Sequence, residues 1–168
     1  MVLGLPDGRR ARIRPIAPDD KALLQDGLQR LSPESVHRRF LGPKPRLSAA
    51  ELRYLTEVDG RDHIALVAVD DEDPERLVGV ARCVRSKEDA GTAEMAIVVD
   101  DAWQGHGVGH VLVEALAHAA AAVGVRRFSA VILADNVGAQ RLLGDITDGL
   151  RLGIASAGVR ELVGELRP

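Results

Sequence analysis

The chain has 168 residues, 46% of them hydrophobic and 28% charged, with a formal net charge of −3. That balance fits one soluble globular domain whose core is Val, Leu, Ile and Ala, since two Phe, one Tyr and one Trp are all the aromatics present. It excludes a strongly basic nucleic-acid binder, the single Cys83 excludes an internal disulfide or a cysteine-based metal site, and no run is long enough to span a membrane.

In chain order, "RARIRPI" alternates Arg10, Arg12 and Arg14 with apolar partners and reads as a strand with one wet face. "APDDKALLQDGLQRL" sets Leu23, Leu24, Leu28 and Leu31 at helical spacing behind acidic residues that suit a helix start. "SPESVHRRF" is a second short helix, with Ser32 as cap and Pro33 in the first position; a full capping box is absent because Ser35 stands where Glu or Gln is needed. "LSAAELRYLTEV" is a third helix, and Ser48 with Glu51 does complete a box. "HIALVAVD", "RLVGVARCVR" and "TAEMAIVVD" read as an antiparallel meander. A glycine stretch follows, then a helix over about 107–123 with Val108, Val111, Leu112, Ala115, Leu116, Ala119 and Val123 on one stripe. "RRFSAVILA" is a strand, "NVGAQRLLG" a short helix, and "LRLGIASA" with "VRELVGEL" a final pair of strands. The order β-α-α-α-β-β-β-α-β-α-β-β predicts an α+β sheet with helices over its faces. The N-terminus has no hydrophobic signal core, so the cytoplasm is the expected location.

Gly105, Gly107 and Gly109 stand at alternate positions between a strand and a helix. In that setting free backbone N–H groups meet the positive end of a helix, and an anion is the natural guest. The dinucleotide pattern fails because His110 occupies the place of its last Gly, and the nucleotide-phosphate pattern fails for want of a Lys. The sequence Gln104-Gly105-His106-Gly107-Val108-Gly109 does match Gln/Arg-x-x-Gly-x-Gly/Ala, and its strand and helix context agrees. On these residues the chain resembles the GNAT acyltransferase superfamily over roughly residues 10–143. "RLSPESVHRRF" and "LSAAELRYLTEVDGRDHIALVAV" narrow the likeness to the acetyltransferase domain of bacterial protein lysine acetyltransferases. In that group the domain is often fused to a cyclic-nucleotide-binding or acyl-CoA-synthetase-like domain, for which 168 residues are expected to leave no room.

The resemblance implies a single GNAT domain over 1–168, with a mixed, mostly antiparallel central sheet flanked by helices. It implies acetyl-CoA as co-substrate and no metal. The backbone of Gln104, Gly105, His106, Gly107, Val108 and Gly109 would hold the pyrophosphate, Ile97, Val98 and Val99 would pair with the pantetheine arm, and Asn136 would contact that arm or serve as an ordinary helix cap. The strand amides could also polarise the thioester carbonyl.

The chemistry needs a base, because a lysine of pKa near 10.4 is only about 0.04% neutral at pH 7, equivalent to roughly 4.6 kcal/mol. Glu94 interrupts an apolar strand on the face it shares with Ala96 and Val98, where a carboxylate is costly unless paired with an arginine or facing a cleft. The resemblance puts the general base at this position. The expected acceptor is a protein lysine; a small-molecule amine and a catalytically weak acyl-CoA-binding sensor or partner domain are the alternatives. Monomer and homodimer both stay open.

Five features depart from the family or stand outside it. The late-helix tyrosine that protonates the leaving thiolate in many relatives is missing, Tyr54 being the only tyrosine. "LLGDITDGLRLG" replaces the family's Gly-Phe. His106, His110, Glu114 and His118, four apart, could hold zinc, but a solvated helix face is the expected reading. Asp59 and Asp62 likewise read as a wet loop rather than an amine-attracting site, and Cys83 as a small core residue rather than a nucleophile.

Overall fold

The computed structural model describes residues 1–167. Strands β1 (Val2–Gly4) and β2 (Arg10–Pro15) are followed by helices α1 (Lys21–Arg30), α2 (Pro33–Phe40) and α3 (Ala49–Thr56). Then come β3 (His63–Asp70), β4 (Leu77–Arg85), β5 (Thr92–Val99), α4 (Val108–Ala122), β6 (Arg127–Leu133), α5 (Val137–Ile146), β7 (Thr147–Leu152) and β8 (Val159–Leu166). Apart from β1, which is too short to carry a period, this is the expected α+β order.

Local chemistry sets the helix starts as anticipated. Ser32 Oγ accepts from Ser35 N–H at 3.1 Å without a reciprocal bond. At α3, Ser48 Oγ accepts from Glu51 N–H at 3.1 Å while the Glu51 carboxylate accepts from Ser48 N–H at 2.7 Å. The last strand pair differs from expectation. Strand β7 begins at Thr147, straight after α5, and stops at Leu152. Ala157 and Gly158 turn the chain through positive φ, and Ile154 is left 95% exposed.

The eight strands form one sheet in the order β1-β2-β3-β4-β5-β6-β8-β7. Each neighbouring pair is antiparallel except β5 and β6, which run parallel. Alternate side chains of β3 feed two cores. Ile64, Leu66 and Ala68 pack with Leu112 and Leu116 of α4 on one face. Ala65, Val67 and Val69 pack with Leu23, Leu24 and Leu28 of α1 on the other. Helix α2 packs against both β5 and β6. Among the described residues no helix is long and apolar enough to cross a membrane.

Candidate active site

The parallel pair carries the site. Strands β5 and β6 are in register only over residues 92–94 and 127–129. Beyond Glu94 they part: β5 continues along β4, pairing Ile97 with Ala81 and Val99 with Gly79, while β6 continues along β8. One edge of residues 95–99 is therefore without a strand partner in the middle of a sheet. Such an edge is a template for an extended guest that can use its backbone groups.

The parting opens into a groove of about 390 Å³, lined by Ile97, Val98 and Val99 on one side and by Asn136, Ala139 and Leu142 on the other. Gln104, Gly105, Gly107 and Gly109 line its end. The Gln104 amide donates to Val99 C=O at 3.0 Å and to Ser35 Oγ at 3.1 Å, which fastens the loop to β5 and to α2. The three glycines are there for two different reasons. Gly105 and Gly107 have φ of +76° and +88°, and a Cβ at either would meet nothing, so backbone conformation selects them. At Gly109 a Cβ would lie 3.3 Å from Leu142 Cδ1 and 3.6 Å from Val99 Cγ2, so close packing selects it. Gly107 is the N-cap of α4 and brings no side-chain cap, which leaves the first amides of a 15-residue helix without a side-chain partner at the groove.

Asp101 was not anticipated. Its carboxylate accepts from Ser32 N–H at 2.9 Å, Ser32 Oγ at 2.7 Å and Ser35 Oγ at 2.9 Å, tying the start of α2 to the loop. Burial pulls its pKa up, but the Ser32 and Ser35 hydrogen bonds outweigh this and hold it below the ordinary value. Sequence reading used Ser35 only to reject a capping box, and no local pattern announces a bond 66 residues away.

Not all the expected residues face the groove. The side chain of Val108 is buried in the core, so this residue can offer only its backbone. The His106 ring turns away toward Asp7 at 3.7 Å. Asn136 lines the groove and also caps α5, its side-chain oxygen accepting from Ala139 N–H at 3.1 Å, so the two readings coexist.

Glu94 is exposed where the strands part and forms no ion pair with any arginine among the described residues. Arg127, the cation on the adjoining stretch of β6, pairs instead with Asp89 at 2.6 Å and Glu165 at 3.4 Å. Glu94 lies opposite Val84, which in turn lies opposite His63. Arg82 donates to His63 Nε2 at 3.0 Å; because arginine can only donate, that nitrogen accepts and His63 is neutral. Burial and the Arg82 charge together push His63 down to about 4. Tyr54 stacks on His63 with ring centroids 4.9 Å apart and does not line the groove.

The remaining candidates have structural partners. His106 precedes α4, so four-residue spacing does not place it on the helix face; the left-handed Gly107 breaks the phase. His110 sits between Glu114 at 3.2 Å and Asp145 at 3.5 Å. Among the described residues no group of three or more His, Cys, Asp or Glu comes together as metal ligands. Asp59 accepts three backbone N–H groups, from Arg61, Asp62 and His63, and Asp62 pairs with Arg85 at 2.8 Å. Cys83 is buried, which pushes its thiol up to about 12.

The family model for the "Acetyltransferase (GNAT) domain" matches residues 10–146. The acetyltransferase Pat of Mycolicibacterium smegmatis is 36% identical over 132 residues, 78% of this chain and 39% of that protein. The chain thus spans well under half the length of that relative. The acetyltransferase PA5475 of Pseudomonas aeruginosa is 37% identical over 136 residues, 80% of this chain and 73% of that protein. The crystal structure of the GNAT domain of S. lividans PAT superposes with a TM-score of 0.86 at 33% identity, covering 99% of this chain and 96% of that one.

Proposed function

The chain belongs to the GNAT acetyltransferase domain family, and from this premise we propose that it transfers the acetyl group of acetyl-CoA directly to an amine, a protein lysine side chain, with Glu94 as general base. The observation that carries the reading is the parting of β5 from β6 beside a glycine loop with free helix amides.

Acetyl-CoA supplies an acyl group already activated as a thioester. The backbone of residues 104–109, at the positive end of α4, suits its pyrophosphate. Along residues 97–99 the backbone groups of Ile97 and Val99 face the unpaired edge and those of Val98 face β4, an arrangement that suits the amide groups of the pantetheine arm as an added strand. Asn136 faces the same groove from the start of α5. Glu94 takes the proton of an incoming ammonium, directly or through one water, a role supported by its exposure at the point where the strands part. Transfer then breaks the C–S bond and forms the C–N bond. No tyrosine lines the groove, so the thiolate leaves with a solvent proton or none.

The lysine acceptor rests on the likeness of the α2–α3 region to bacterial protein lysine acetyltransferases. Incubating the purified chain with labelled acetyl-CoA and a bacterial lysate tests it. Label on lysine side chains of proteins is expected. Label confined to small molecules contradicts the lysine acceptor, and no transfer at all contradicts the enzyme.

A further inference from the structure

Among the described residues, two guanidiniums near Glu94 are paired with no carboxylate. Three other arginines of the sheet have one: Arg14 pairs with Asp20 at 2.7 Å, Arg85 with Asp62 at 2.8 Å and Arg127 with Asp89 at 2.6 Å. Arg39, in the last turn of α2, is half-buried and lines both the groove and the narrower cleft over residues 95–97. Its guanidinium lies 4.8 Å from the Phe40 ring centroid. Burial lowers its pKa, and Glu94 is the one charge that offsets this. Arg82, on β4 opposite Ala96, is 5% exposed on the sheet face of Glu94. Its hydrogen bonds go to neutral partners, Leu55 C=O at 3.0 Å and His63 Nε2 at 3.0 Å. Burial, and then the like charge of Arg39, pushes Arg82 down to about 10.

The acceptor end of the groove therefore carries two cations against one carboxylate. Charges withdrawn from water without a counterion are costly, and of the 25 acidic residues of the chain none among the described residues forms an ion pair with either guanidinium. An acceptor bringing only an ammonium would meet repulsion. One that also brings a carboxylate would complete the cluster through the flat donor fork of an arginine, which matches a carboxylate bidentately. On this basis, and resting on the acceptor-side reading of Glu94 given above, we propose that Arg39, with Arg82 as the buried charge behind it, selects amines that carry a carboxylate, in the form of an acidic residue beside the target lysine. Arg39 is the contact; Arg82 holds the local potential positive.

The test uses the purified chain with acetyl-CoA and two lysine peptides of equal length, one with Glu beside the lysine and one with Gln there. A second arm compares free lysine with its decarboxylated diamine, which separates a free carboxylate from a side-chain one. The Glu peptide is expected to be preferred by about tenfold or more in kcat/KM, chiefly through KM, in line with one charge-assisted bidentate contact. In Arg39→Gln that preference falls to about twofold or less, and Arg39→Lys keeps part of it. Equal rates on both peptides, or a preference that survives in Arg39→Gln, overturns the proposal. A preference for free lysine over the diamine, with no turnover of either peptide, keeps carboxylate selection but refutes the protein acceptor. Turnover of neither set contradicts the proposed function as well.

Discussion

Replacing Glu94 by Gln lowers kcat for acetyl transfer by about 10²–10³-fold, while acetyl-CoA still binds. Gln keeps the shape and loses the basicity. At pH 7 an acceptor lysine is overwhelmingly protonated, and without a nearby base it must lose its proton to bulk solvent before it can attack. On the proposed reading Glu94 takes that proton: it stands exposed where β5 leaves β6 and, among the described residues, is paired with no arginine. The sign of the pH dependence follows. The deficit of Glu94→Gln narrows as pH rises toward the pKa of the amine, where the acceptor sheds its own proton. Steady-state kinetics across neutral to alkaline pH reads this, and unaffected transfer in the variant would show that Glu94 is not the base.

Replacing Trp103 by Ala destabilises the fold by about 3–5 kcal/mol, the usual cost of emptying a buried aromatic site. Trp103 is 2% exposed and sits in the main core one residue before the loop begins. The Arg9 guanidinium lies 4.1 Å from its ring centroid while donating to Ala102 C=O at 3.1 Å, so the turn between β1 and β2 is stacked on the root of the loop. Burial area and the cation–π contact are lost together in the alanine variant. Chemical denaturation measures the loss directly. Phe at this position keeps the ring over which Arg9 stacks and should restore more than half the stability. If Trp103→Ala unfolds at the same denaturant concentration as the parent chain, the loop is not anchored through this residue.

How much of this was legible beforehand depends on the kind of information each feature needs. Periodicity announced the helices and strands, because period is a property of neighbouring residues. Ser48 and Glu51 announced the start of α3 for the same reason. Periodicity names faces rather than partners, so "TAEMAIVVD" could be read as a strand but not as one that stays beside β6 for three residues and then departs. The glycine pattern pointed to the loop, yet the two reasons behind it appear only in space: φ at Gly105 and Gly107, and contact with Leu142 at Gly109. His106 was misplaced because spacing of four was extended across Gly107, where the helix has not yet begun. Arg82 passed as one residue of an alternating strand, since a missing counterion cannot be seen until every acid has been placed. Asp101 and Ser35 share that limit, because their bond joins positions with no common local pattern.

The central claim is that acetyl-CoA lies along the unpaired edge of β5 with its phosphates at the start of α4. Amide hydrogen exchange with and without acetyl-CoA measures this directly. Strong, saturable protection at Ile97 and Val99, whose backbone groups face the open edge while those of Val98 face β4, and at residues 104–109, with a stoichiometry of one ligand per chain, is the result the account predicts. Binding that leaves those amides unprotected, or no binding, would contradict it.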